Sequence, residues 1–114
     1  MHLGYKACGF ETIKAVDHDH DALETLCRNN PEDAHAVERV CVNEWLSKYK
    51  PGDSVQLLHA STPCQGASKA NRHLEETEDD EKTNELILSF PAALSKTQAS
   101  IGVFENVGGP CFLI

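Results

Sequence analysis

Short apolar runs alternate along this chain with stretches whose apolar residues recur every three or four positions. Thr12-Ile13-Lys14-Ala15-Val16 predicts a strand that ends at the acidic Asp17. Asp21 to Arg28 places Ala22, Leu23, Leu26 and Cys27 on one face of a helix, which Asn29-Asn30-Pro31 stops. Val37 to Val42 predicts a second strand, and Asn43 can cap a short helix bearing Trp45, Leu46 and Tyr49 before Pro51-Gly52. Ser54 to Ala60 predicts a third strand, and Ser61 to Lys82 a long polar loop of the kind that usually carries function. From Asn84 to Thr97 the residues Leu86, Ile87, Phe90 and Leu94 form a helical stripe, with Pro91 expected to kink it or stop it early. Ile101 to Phe104 predicts the last strand, left through Glu105-Asn106-Val107-Gly108-Gly109. This order predicts βαβ units and a mostly parallel sheet, an α/β fold. No repeat or internal boundary divides residues 1–114, so one domain is expected.

Composition narrows the class. With 114 residues, 40% hydrophobic and 25% charged, the chain reads as one small globular domain rather than a disordered segment. No apolar run approaches the roughly 20 residues that a membrane span needs, and no signal peptide opens the chain, so no membrane partner and an intracellular location are expected. Cys8, Cys27, Cys41, Cys64 and Cys111 are odd in number and lack paired spacing, which argues against a disulfide framework or a zinc knuckle. His18-Asp19-His20-Asp21 suggests a solvated helix cap before it suggests a metal site, and no metal is expected. The net charge of −8, with Glu75, Glu76, Glu78, Asp79, Asp80 and Glu81 crowded together, argues by itself against a nucleic-acid-gripping surface.

Two strand exits carry candidate chemistry. In Ser61-Thr62-Pro63-Cys64-Gln65-Gly66, Pro63 forces Thr62 into extended backbone and fixes the approach to Cys64. A thiol at such an exit, near backbone N–H groups, can react as the thiolate. In Val103-Phe104-Glu105-Asn106-Val107 an acid follows two apolar strand residues, at the edge of a parallel sheet where ligands bind. Each has an ordinary reading too: a buried inert cysteine, and a solvated loop carboxylate. His59, on the strand before Cys64, reads as a core histidine.

Proline-cysteine-glutamine after one strand and glutamate-asparagine-valine after the next resemble the fourth and sixth motifs of the C5-cytosine-specific DNA methyltransferases. The resemblance covers nearly the whole chain, from the second motif to the sixth. It implies an incomplete Rossmann-like, S-adenosylmethionine-dependent methyltransferase fold, with Asp17, Cys64 and Glu105 gathered at the carboxyl edge of its sheet. It makes Cys64 the nucleophile and Glu105 the acid beside the flipped cytosine, with DNA as the partner. Gly9-Phe10-Glu11 through Asp19 looks like the second motif, so Asp17 would bind the ribose hydroxyls of the cofactor and His18 would pack on its adenine. Asn84-Glu85-Leu86 resembles the fifth motif, whose leucine lines the cofactor pocket; the implied cofactor set is Asp17, His18, Pro63 and Leu86. Ser68, Ala70, Asn71 and Arg72 resemble the mobile loop that closes over DNA, and residues 69–82 are expected to move freely without it.

The departures are specific. The glycine-rich first motif, the arginine-bearing eighth, the recognition domain and the tenth motif have no counterpart in residues 1–114, and Cys41 stands where an acid commonly meets adenine. A break in the sheet is therefore expected between the strands ending at Asp17 and before Cys64. The expected function is DNA (cytosine-5-)-methyltransferase chemistry by a fragment inactive alone. A catalytically silent, methyltransferase-like interaction module is the alternative, and an unrelated α/β thiol enzyme a third. The His-Ala-Ser-Thr-Pro-Cys form points to a nuclear location.

Overall fold

A helix that no apolar stripe announces opens the chain. The computed structural model describes residues 2–50, 52, 54–62 and 86–106, in two compact units, Met1–Lys48 and Tyr49–Ile114. In the first unit α1 (His2–Ala7) ends where Gly9 takes φ +86°, a left-handed stop that suits glycine, and the Gly9 N–H donates to the Lys6 carbonyl at 2.9 Å. Charge holds this helix in place. The Lys6 ammonium donates to Glu32 and, at 2.8 Å, to Asp33, while His2 Nε2 lies 2.9 Å from the same Asp33 oxygen. Asp33 is buried on a 3-10 turn, Pro31–Ala36, and its carboxyl is held below its ordinary range chiefly by the Lys6 hydrogen bond.

Strand β1 (Ala15–Asp17) leads into α2 (His20–Asn29), and β2 (Val37–Arg39) runs parallel to β1 in the register Ala15↔Val37 to Asp17↔Arg39. Asp19 caps α2, its Oδ1 accepting the Ala22 N–H at 3.0 Å, as the solvated-cap reading required. The second strand is shorter than the apolar run implied. After the Val40 N–H reaches the Asp17 carbonyl, the Cys41 carbonyl accepts from Trp45, so Val42 belongs to α3 (Val42–Lys48) and not to the strand. Leu23, Ala36 and Leu46 are the buried apolar residues of this unit, and α2 and α3 both lie against β1.

The second unit pairs β3 (Leu57–Ser61) with β4 (Ile101–Glu105), again parallel, from Leu57↔Ile101 to Ser61↔Glu105. A 3-10 turn, Leu86–Leu88, enters α4 (Ser89–Thr97), which closes at Gln98 in the left-handed region (φ 54°). The expected Pro91 break does not occur. The α-helix starts at Ser89, so Pro91 falls in the first turn, where its missing N–H has no intrahelical acceptor to lose. Phe90 packs on Phe104 with ring centroids 5.0 Å apart, and a Cβ on Gly102 would lie 3.0 Å from Phe90 Cζ and 3.1 Å from Leu94 Cδ1. That missing side chain sets how closely α4 approaches β4.

The chain is thus mixed α/β with short parallel sheets. A mostly parallel sheet with a break between the strand ending at Asp17 and the strand before Cys64 was the expectation; the described residues form two two-stranded parallel ladders, β1 with β2 and β3 with β4.

Candidate active site

The carboxyl end of the β1/β2 pair presents three of the residues singled out by the sequence. Asp17 closes β1, and its Oδ1 accepts the Asp19 N–H at 3.0 Å. That bond fixes the turn into α2 and orients a half-exposed carboxylate. His18 follows, exposed, with Nδ1 3.3 Å from the same oxygen, and Arg39 Nε donates to the His18 carbonyl at 3.4 Å. Cys41 lies exposed two residues beyond β2, a free thiol at the same end. An exposed carboxylate, which can accept from two hydroxyls, beside an exposed flat ring suits a vicinal diol carrying an aromatic base, as in the ribose and adenine of S-adenosylmethionine.

The other two-stranded sheet, β3 with β4, carries the second candidate edge. Because β3 and β4 are parallel and Ser61 is level with Glu105, the chain leaves both strands on the same side. The next residue on each side then joins them: Asn106 Nδ2 donates to Thr62 Oγ1 at 3.1 Å. Cys64 begins one residue after Pro63, and both lie outside the described residues, as do residues 69–82, Asn84 and Glu85. What the structure describes is their point of departure, hydrogen-bonded to the residue that follows Glu105.

His59 lies two residues before Ser61, opposite Val103, so the strand alternation puts it on the same face as Glu105. Its Nε2 is 3.9 Å from Glu105 Oε2; the imidazole is largely covered and the carboxylate more than half exposed. Burial lowers the His59 pKa from 6.5, Glu105 raises it, and burial wins. Reading His59 as a core residue captured its burial and missed its neighbour, which only the strand register reveals. Neither did spacing signal the Thr62–Asn106 contact, which spans 44 positions. Leu86 is half-buried at the start of the 3-10 turn before α4.

Residues 1–110 match the family model described as C-5 cytosine-specific DNA methylase. The chain belongs to that family. It is similar to the Type II methyltransferase M.HgiGI of Herpetosiphon aurantiacus, 31% identical over 107 residues that cover 94% of this chain and 81% of that protein. No solved structure matches it. Membership makes this chain a DNA methyltransferase relative whose substrate class is DNA. His20, Asp21 and Glu24 form an exposed group on α2 whose ligand atoms lie within 4.8 Å of one another.

Proposed function

We propose that this methylase transfers a methyl group to C5 of cytosine in DNA, with Cys64 as nucleophile and Glu105 as the acid beside the ring. The observation that carries the reading is the common exit of β3 and β4, which brings Thr62, two residues before Cys64, level with Asn106. On this reading the Cys64 sulfur bonds to C6 of a flipped cytosine as the C5–C6 electron pair moves onto C5. The Glu105 carboxyl faces N3 and the exocyclic amine, where it offsets the charge spreading through the ring. C5 then takes an electrophile, loses its own proton, and the returning electron pair expels the thiolate. Bound S-adenosylmethionine supplies an electrophilic methyl group held on a sulfonium. Asp17 would hold its ribose hydroxyls and His18 its adenine, with Pro63 and Leu86 lining the pocket of a Rossmann-like fold.

Residues 1–114 acting alone should turn over duplex DNA poorly. A net charge of −8 repels phosphate, and extracting a paired base costs a few kcal/mol that a basic channel would otherwise offset. A cytosine in single-stranded DNA avoids that cost. The test is deuterium exchange at cytosine C5 in D2O, read by mass spectrometry, because exchange needs the thiolate addition and no methyl donor. Slow exchange is expected on a single-stranded oligonucleotide, far less on a duplex. It should vanish in Cys64→Ser and fall about 100-fold in Glu105→Gln, the scale of a lost general acid. Exchange that survives Cys64→Ser contradicts the nucleophile, and rapid duplex turnover contradicts the need for a further DNA-binding surface.

A further inference from the structure

Glu105 closes β4, so the ladder fixes its backbone level with Ser61. Its side chain is another matter. A glutamate turns about three side-chain bonds, and this one is more than half exposed, so backbone position alone leaves its carboxyl several orientations. Parallel pairing supplies a neighbour able to narrow them. His59 stands opposite Val103, two residues before Glu105, which puts both side chains on one face of the β3/β4 pair. The ring is largely covered, so its surroundings hold it as they do not hold the carboxylate. Among the described residues, His59 Nε2, 3.9 Å from Oε2, is the only basic nitrogen to approach that carboxylate. A formed N–H···O bond spans about 2.9 Å, so closing the gap asks for a small side-chain torsion and no backbone movement.

We propose that His59 is a positioning residue for Glu105: from the neighbouring strand its ring steers the carboxyl into the orientations that meet the pyrimidine. His59 acts through Glu105 and touches neither the cytosine nor the cofactor. The proposal rests on the function proposed above. A neutral imidazole is enough for this role. Burial favours the neutral ring at neutral pH, and the tautomer with its proton on Nε2 is the one that a carboxylate selects. Steering matters because the acid must meet the ring while the sulfur adds to it, and an ångström of misplacement can cost about a hundredfold.

A double-mutant cycle separates steering from a merely structural effect. Its readout is C5 deuterium exchange on the single-stranded oligonucleotide by the full 114-residue chain. His59→Phe keeps a flat ring and removes both nitrogens; His59→Gln keeps an N–H donor near the place of Nε2. With Glu105 present, His59→Phe should lower exchange about tenfold, and His59→Gln should recover most of that loss. In the Glu105→Gln background, where no acid remains to be steered, His59→Phe should cost less than about twofold. The cycle cancels whatever else the imidazole holds, because that contribution is the same in both backgrounds. The side-chain carboxyl carbon resonance of Glu105 should move in His59→Phe and return towards wild type in His59→Gln, a readout that needs no activity. Where His59→Phe does not fold, His59→Asn replaces it: its amide falls short of the Nε2 position, and the same readouts apply. Equal losses in the two Glu105 backgrounds, wild-type exchange in His59→Phe, or an unmoved carboxyl resonance would each overturn the steering. Exchange that survives Cys64→Ser fails the proposed chemistry instead, and the carboxyl resonance then decides the steering alone.

Discussion

Asp17 and Asp19 are two residues apart and use their carboxylates differently. Asp19 spends its charge on the helix: the Ala22 N–H that it accepts is the chief reason its pKa lies below 3.8. A depressed carboxylate stabilises the fold above its unfolded pKa, and that contribution disappears as the pH falls through the folded value. Amide exchange in the first turn of α2 should therefore quicken in Asp19→Ala at neutral pH, and by progressively less as the pH is lowered into the acid range. An effect that persists undiminished at low pH would contradict the charge-assisted cap. His59 shows the opposite sign. Its folded pKa lies below 6.5 because burial outweighs Glu105, so the unfolded chain binds the proton more readily and folding weakens as the pH drops below 6.5. Replacing Glu105 with Gln removes the only raising influence identified, so the His59 imidazole titration, followed by NMR, should move lower still. A rise, or no change, would show that the 3.9 Å approach carries no interaction.

Among the elements, those resting on apolar runs were legible and those resting on charge were not. Helix α2, in which Leu23 is buried, Leu26 and Cys27 are half-buried and Ala22 is exposed, was predicted within two residues of its observed ends, because a 3.6-residue period leaves a clear stripe. All four strands were found near their predicted places for a similar reason. Helix α1 was missed because Lys6 and His2 reach across some thirty positions to Glu32 and Asp33, and no local pattern encodes a long-range ion cluster. The 3-10 turn at Pro31–Ala36 was hidden for the same reason. At the candidate site the motifs were legible as residue types, whereas the Thr62–Asn106 contact and the facing of His59 on Glu105 needed the parallel register. Packing makes two predictions at this scale. Leu46, 6% exposed, should cost about 2–5 kcal/mol when cut to alanine, read from denaturant midpoints. Gly102→Ala, which adds a methyl group 3.0 Å from Phe90 Cζ, should cost about 1–3 kcal/mol by pushing α4 off β4. A neutral or stabilising Gly102→Ala would mean that α4 does not lie so close.

For the molecule as a whole, family membership and charge pull in different directions. DNA is the substrate class of the family, yet the chain is acidic, with −8 overall and six acids between residues 75 and 81. Two-stranded ladders are marginal on their own and rely on the helices that pack against them. A chain of this charge is poorly suited to holding a duplex. Its affinity for DNA should accordingly be weak and only shallowly dependent on salt, because few phosphates are neutralised. Covalent trapping reads the proposed bond between Cys64 and cytosine itself. A single-stranded oligonucleotide containing 5-fluorocytosine is incubated with the chain and excess S-adenosylmethionine, where fluorine at C5 blocks the final proton loss and leaves the adduct in place. The account predicts a protein–oligonucleotide adduct whose peptide maps the oligonucleotide to Cys64, absent in Cys64→Ser; an adduct on Cys8, Cys27, Cys41 or Cys111, or one that persists in Cys64→Ser, would contradict it.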